Sequence, residues 1–244
     1  MTRKIFTGLF AAFILLSCST FGNNKAENDT MTNQNKNDSQ SKELFAAIEK
    51  NDTEKVRAIL QQKPNFEVRN AKKQTPLMAA TYKFYNDIAF LLIDAGVSVN
   101  AKDDMQNTPF LYAGAEGNLE LVKKAIKHGA DFTIFNRYGG SALIPAAEKG
   151  HPEVVKLLVN TPGYPIDHVN NLGWTALLEA VILGTGGDVH TQIVQILVDG
   201  GVDINIPDKN GVTSLQHAEK KGFKNIISIL KKESSQKKIK KTNL

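Results

Sequence analysis

The chain has 244 residues, 41% of them hydrophobic and 23% charged, and a formal net charge of +5. That balance excludes a collagen-like, a polytopic membrane or a wholly disordered chain, and leaves one or two domains with enough apolar residues for a core. The single cysteine, Cys18, excludes an internal disulfide and a cysteine-rich zinc site. A basic chain points to nucleic acid or an acidic surface as partner, unless the charges sit away from the folded part.

The N-terminal residues carry Arg3 and Lys4 and no acid, and Ile5–Leu16 is apolar. As helix this run would span roughly 18 Å, short against a bilayer core of about 30 Å. A basic start followed by a short apolar run reads as a secretory signal over residues 1–17. Leu15-Leu16-Ser17-Cys18 resembles the lipobox of bacterial lipoproteins. The resemblance implies that Cys18 is lipidated and begins the mature chain, because its thiol can be alkylated and small Ser17 leaves the preceding bond accessible. Several acyl chains at about 0.8 kcal/mol per buried CH₂ make a firm anchor. Ser19, by the same resemblance, suits outer-membrane sorting. Residues 18–40 then carry many Asn and only Phe21 and Met31 as large apolar side chains. Such a segment cannot bury enough surface to fold and is expected to be a flexible tether, with a reach of roughly 25 Å.

Beyond residue 40 the chain repeats itself. Thr75-Pro76-Leu77-Met78-Ala79-Ala80 aligns with Thr108-Pro109-Phe110-Leu111-Tyr112-Ala113, Ser141-Ala142-Leu143-Ile144-Pro145-Ala146, Thr175-Ala176-Leu177-Leu178-Glu179-Ala180 and Thr213-Ser214-Leu215-Gln216-His217-Ala218, at spacings of 33, 33, 34 and 38. Thr or Ser is a good helix N-cap and Pro suits the first turn. Gly117, Gly150, Gly184 and Gly222, each nine residues after the cap, are expected to end helix one with positive φ. Phe84 holds that place in the second unit. Apolar residues at helical spacing follow, so Leu91, Leu92, Leu157 and Leu158 are expected in the core. Gly129 and Gly200 then stop helix two. One unit cannot bury its apolar face alone, so the units must stack.

The phrases Thr-Pro-Leu-x-x-Ala and His128-Gly129-Ala130-Asp131 resemble the ankyrin repeat. The resemblance covers residues 41–230 and implies an all-α repeat solenoid of about six helix-turn-helix units with β-hairpin or finger loops between them. Residues 41–70 form an atypical first unit through Leu44, Ala47, Ile48, Val56, Ile59 and Leu60, and the Thr213 copy closes the stack. Pro145 falls inside a first turn, where it is tolerable. The fourth unit gains one residue near Thr161-Pro162-Gly163, and the fifth gains five around 184–192, where insertions usually make loops. Residues 231–244 form a Lys-rich tail, read as a solubilising frayed end or a contact to anionic lipid.

Catalytic chemistry is sparse. His128 and His151 occupy usual ankyrin positions. No histidine pair has zinc-helix spacing and there is no Gly-x-Ser-x-Gly elbow. Gly184-Thr185-Gly186-Gly187-Asp188 lacks the Lys of a phosphate loop. Asp103 and Asp104, adjacent on one tip, read as turn formers and solvated charge rather than as a glycosidase pair across a cleft. The chain is therefore expected to be no enzyme, and to need no cofactor, metal or small-molecule substrate. By resemblance, ankyrin stacks bind proteins through the finger tips and the exposed side of helix one. Carried over by position, the candidate binding residues are Tyr82, Asp103, Asp104, Tyr112, Arg137, Tyr138, Trp174, Glu179 and His217. Aromatic and arginine side chains are favoured anchors. Trp174 either serves as one or packs on the neighbouring finger.

The expected protein is a lipid-anchored ankyrin solenoid of the cell envelope, an outer-membrane lipoprotein facing the periplasm. It binds an envelope protein as scaffold or adaptor; the alternative is an inhibitor or immunity protein capping a toxic enzyme. The signal carries +2 and the tail +5, so residues 18–230 carry about −2. That removes most of the case for nucleic acid.

Overall fold

The computed structural model describes residues 38–242, with side chains described through residue 236. The expected signal, Cys18 and most of the tether lie outside the described residues. Helix α1 runs over 38–49, so residues 38–40 at the end of the expected tether are helical. The helices that follow are α2 (Thr53–Leu60), α3 (Pro76–Tyr82), α4 (Asn86–Asp94), α5 (Pro109–Ala115), α6 (Leu119–Lys127), α7 (Leu143–Glu148), α8 (Pro152–Val159), α9 (Ala176–Ile182), α10 (Asp188–Asp199), α11 (Ser214–Lys221) and α12 (Lys224–Thr242). No strand occurs among the described residues.

Each unit is a helix pair. First helices pack on first helices from α3 to α11, and second helices on second helices from α2 to α12. Between the two layers lies one apolar cluster, continuous from Leu44 to Leu230. The stack therefore buries a core that no single unit could. Leu92 and Leu158 are fully buried, as expected. Leu91 and Leu157 are only half-buried, because each begins to turn out of the interlayer face.

The side chains of Thr75, Thr108, Thr175 and Thr213 accept the backbone N–H of Met78, Leu111, Leu178 and Gln216, closing four first helices at the expected caps. Ser141 does not do this. In the other copies the residue four past the cap donates its N–H to the cap carbonyl, as in Ala79 to Thr75 and Glu179 to Thr175. Pro145 occupies that position in the fourth unit and has no N–H to give. Helix α7 starts later, at Leu143, and the buried Ser141 hydroxyl makes no well-formed hydrogen bond among the described residues. The Tyr164 hydroxyl takes over, accepting the Leu143 N–H at 3.1 Å. Tyr164 is 7% exposed, packs its ring 5.0 Å from that of Phe132, and its phenol is pushed up to about 12 by burial.

Phe84 takes the left-handed conformation of the glycine it replaces, with φ 57°. The fifth unit differs from expectation. Its added residues largely extend the helix: α10 has 12 residues against 9 in α4 and α6. Gly186, not Gly184, takes the positive φ there. Gly184 is needed for a different reason, since a Cβ would run into the Ala180 carbonyl and the His190 ring. The Lys-rich end is helical, because α12 continues the second helix of the last unit to Thr242. No helix among the described residues is long and apolar enough to cross a membrane.

Candidate binding groove

The fingers between units are tight turns built on one side chain each. Asn70, Asp103, Asn136, Asn170 and Asp208 each accept two backbone N–H groups, from the residues two and four further on. These five lie five residues before each cap residue. The pattern is readable at the repeat period, although of the five only Asp103 is expected from the sequence to form a turn. The residue three past each of them is left-handed: Lys73, Gln106, Gly139, Gly173 and Gly211. Three are glycine, while Lys73 and Gln106 carry the steric strain of that conformation. Neighbouring fingers are tied together. Arg69 donates to the Lys102 carbonyl at 2.7 Å, the Asn171 N–H to the Tyr138 carbonyl at 2.9 Å, and Lys209 to the Asn171 carbonyl at 2.5 Å.

This geometry corrects two site expectations. Asp103 is a turn former, but it is 8% exposed rather than a solvated charge. Its second oxygen accepts the Tyr82 hydroxyl at 2.5 Å, and Asn107 donates to that same hydroxyl at 3.1 Å. Burial first raises the Tyr82 phenol, to about 12; the Asn107 hydrogen bond pulls it down and Asp103 pushes it back up. Tyr82 is thus a latch between helix α3 and the next finger. His217 is the counterpart in the last unit: its Nε2 lies 2.8 Å from an Asp208 carboxylate oxygen, so it braces its own finger. Backbone N–H groups first, and then His217, hold the Asp208 carboxyl below the usual carboxylate range.

The exposed side chains collect on one side. The finger residue that gives the first of its two N–H groups is Met105, Tyr138 or Leu172 in the internal fingers, exposed by 48%, 56% and 52%. They form an apolar row at the repeat spacing. Arg137 lies over the Tyr138 ring at 4.7 Å and donates to the Tyr138 hydroxyl and to the Met105 sulfur. Tyr112 stacks tilted on Tyr82, with centroids 4.3 Å apart. Tyr82, Asp103, Asp104, Tyr112, Arg137 and Tyr138 together line a hollow of about 640 Å³. Glu179 lines an adjoining hollow of about 230 Å³, with Tyr138, Pro145 and Glu148 shared by both. Trp174 and His217 line neither. Trp174 is half-buried at the root of its finger, where its backbone N–H and carbonyl close the turn on Asn170.

Glu179 is the most perturbed acid of the groove. It is 5% exposed, and Asn170 donates to its Oε1 at 2.7 Å. Burial first, and then the Glu148 charge, push its carboxyl up to about 7. No group of histidine, cysteine and acidic side chains able to hold a metal occurs among the described residues.

A stack of helix pairs joined by side-chain-capped fingers, with an exposed groove along the first helices, is the architecture of ankyrin repeats. The family model described as ankyrin repeats (three copies) matches residues 14–103, 84–170 and 143–243. The chain belongs to the ankyrin repeat family. It is similar to YahD of Escherichia coli (strain K12), an ankyrin repeat protein by name. The two are 33% identical over 189 residues, or 77% of this chain and 94% of YahD. Among solved structures, it is similar to an ankyrin repeat domain from Acinetobacter baumannii AYE. That match has 46% identity and a TM-score of 0.76, and covers 78% of this chain and 97% of the other. A second crystal structure of an ankyrin repeat protein matches with 40% identity and a TM-score of 0.76, covering 78% of this chain and 96% of the other.

Proposed function

We propose that this protein binds another protein in the groove between its fingers and first helices, without catalysis. We further propose that it does so as a lipid-anchored scaffold or adaptor of the bacterial cell envelope, held at the membrane through Cys18 on the segment before the repeats. The observation that carries the binding reading is the exposed row of Met105, Tyr138 and Leu172, of which Met105 and Tyr138 share a hollow with Tyr112 and Tyr138 and Leu172 share the adjoining one. Exposed apolar and aromatic side chains gathered along one groove are what an interface anchors on. The ties between fingers hold that row in place before any partner arrives, which lowers the entropy lost on binding. Ankyrin repeats in general bind protein partners, which supports the same reading. The anchoring reading rests on the sequence: basic Arg3 and Lys4, the apolar run Ile5–Leu16 and Leu15-Leu16-Ser17-Cys18.

The test uses the full chain in detergent, immobilised and exposed to solubilised bacterial envelopes, beside a Tyr112→Ala/Tyr138→Ala variant. One partner should be enriched on the wild type and captured roughly ten-fold less on the variant, with melting temperatures matched. Equal capture on both would place the interface elsewhere. Separately, Cys18→Ser should lose incorporation of labelled fatty acid and leave the membrane fraction. Retained label would sink the anchoring reading and leave the groove untouched.

A further inference from the structure

We infer that the smaller hollow, between Glu148 on α7 and Glu179 on α9, is a socket for one lysine or arginine side chain of the bound protein segment. This inference rests on the groove being the binding face. Four observations converge on it. First, the hollow of about 230 Å³ has room for one long side chain and none for a folded element. Second, its walls are mixed in the way such a side chain needs. Pro145, Leu172 and Leu183 offer apolar surface to the methylene stem, and Leu172 and Leu183 are about half exposed with nothing of the described chain covering them. Third, both carboxyl groups that line it, Glu148 and Glu179, are unopposed there, because no lysine or arginine lines the hollow and its remaining titratable group is the Tyr138 phenol. The nearest cations of the groove are engaged elsewhere: Lys149 pairs with Glu116 and Arg137 with Tyr138 and Met105.

The fourth observation is that the fold leaves Glu179 incompletely satisfied. Its side chain is more than nine-tenths buried. Asn170 donates to Oε1, and Oε2 has no hydrogen-bond partner among the described residues although the carboxylate lines the hollow. Burial and the Glu148 charge both oppose its ionisation. An acid held by a single hydrogen bond, from Asn170, against burial and a second carboxylate gains a great deal from an incoming cation. A lysine ammonium or arginine guanidinium between the two carboxylates would fill the free acceptor positions and offset the repulsion. Tyr138, at the junction of the two hollows, would then set the direction of the segment, leading its neighbouring residues towards Tyr112 and Met105.

The test selects random peptides displayed on phage against the full chain at pH 7.5. It then measures each selected peptide by fluorescence anisotropy against wild type, Tyr138→Ala and Glu148→Gln/Glu179→Gln. All three proteins are first shown to melt cooperatively, and the double Gln variant is expected to melt no lower than wild type. Peptides that lose binding on Tyr138→Ala should each carry a lysine or arginine. Their affinity should fall about ten-fold or more on the double Gln variant. Changing that peptide residue to glutamine should cost as much on wild type and nothing further on the variant. Groove-bound peptides that lack a basic residue, or that ignore both glutamine changes, would overturn the socket while leaving the groove reading standing. If no peptide is selected, or none is sensitive to Tyr138→Ala, the groove reading falls and the socket falls with it.

Discussion

Replacing Glu179 by glutamine should make this protein more stable, and only above a definite pH. The substitution keeps the shape of the side chain and the oxygen that accepts from Asn170 Nδ2, so the charge is the main thing lost. The carboxyl is raised from 4.5 to about 7, first by burial and then by Glu148. A carboxyl raised in the folded state favours folding fully below its unfolded value of about 4.5, and that contribution disappears as pH climbs to about 7. At about 1.4 kcal/mol per unit, the ionised Glu179 therefore costs the fold about 3 kcal/mol at pH 8. Part of this returns as the cost of burying the new amide NH₂, so the expected gain for Glu179→Gln is about 2 kcal/mol at pH 8. In a repeat domain of this size that raises Tm by roughly 4–8 °C. At pH 4 the Glu179 carboxyl is neutral and only the cost of the buried amide remains, so the variant should melt slightly below the wild type, by about 1 kcal/mol of stability. Glu148→Gln should reproduce a smaller share of the gain, because its charge is the secondary cause. The assay is urea and thermal unfolding followed by circular dichroism at pH 4, 6 and 8. A gain of the same size at pH 4 as at pH 8, or no gain at pH 8, would refute the reasoning.

Tyr164→Phe keeps the ring against Phe132 but removes the acceptor for the Leu143 N–H. It should cost about 1 kcal/mol, as the loss of a helix cap does, read as a lowered urea midpoint with unchanged slope. Gln106→Gly should stabilise by about 0.5–1 kcal/mol, because it relieves a side chain held at φ 58° and gives back part of that as chain entropy; a lower Tm would show that the finger is not strained there. Leu158→Ala should cost about 2–5 kcal/mol through the cavity it leaves, whereas Leu157→Ala, at a half-buried position, should cost markedly less; equal losses would overturn the assigned register.

Much of the groove was legible because the repeat converts sequence position into place. Once Thr75, Thr108, Ser141, Thr175 and Thr213 are aligned, Tyr112 and Glu179 share a register, as do Met105, Tyr138 and Leu172. The finger side chains Asn70, Asp103, Asn136, Asn170 and Asp208 were equally available at that spacing. Apart from Asp103, read as a turn former from the sequence, their role is not legible there, because an Asn or Asp in a loop looks like any other until two backbone N–H groups are seen to converge on it. Pro145 is plain in the sequence, but its tolerance in a first turn says nothing about which cap loses its bond. The rescue by Tyr164 comes from 21 residues away, and no local pattern announces it.

The sequence by itself determined the unit, the register and the number of copies, since these follow from capping chemistry and apolar spacing within some thirty residues of chain. It also determined that the basic charge lies at the two ends. Only the tertiary structure decided which polar side chains are used up by the fold and which remain free to bind. Tyr82, Asp103 and His217 are consumed in latching fingers to helices, while Tyr138, Leu172 and the free oxygen of Glu179 are left facing the groove. The reason is physical. A helix or turn is specified by neighbours along the chain, but the desolvation of a carboxyl and the partner of a hydroxyl are specified by whatever the stack brings alongside, one repeat or more away.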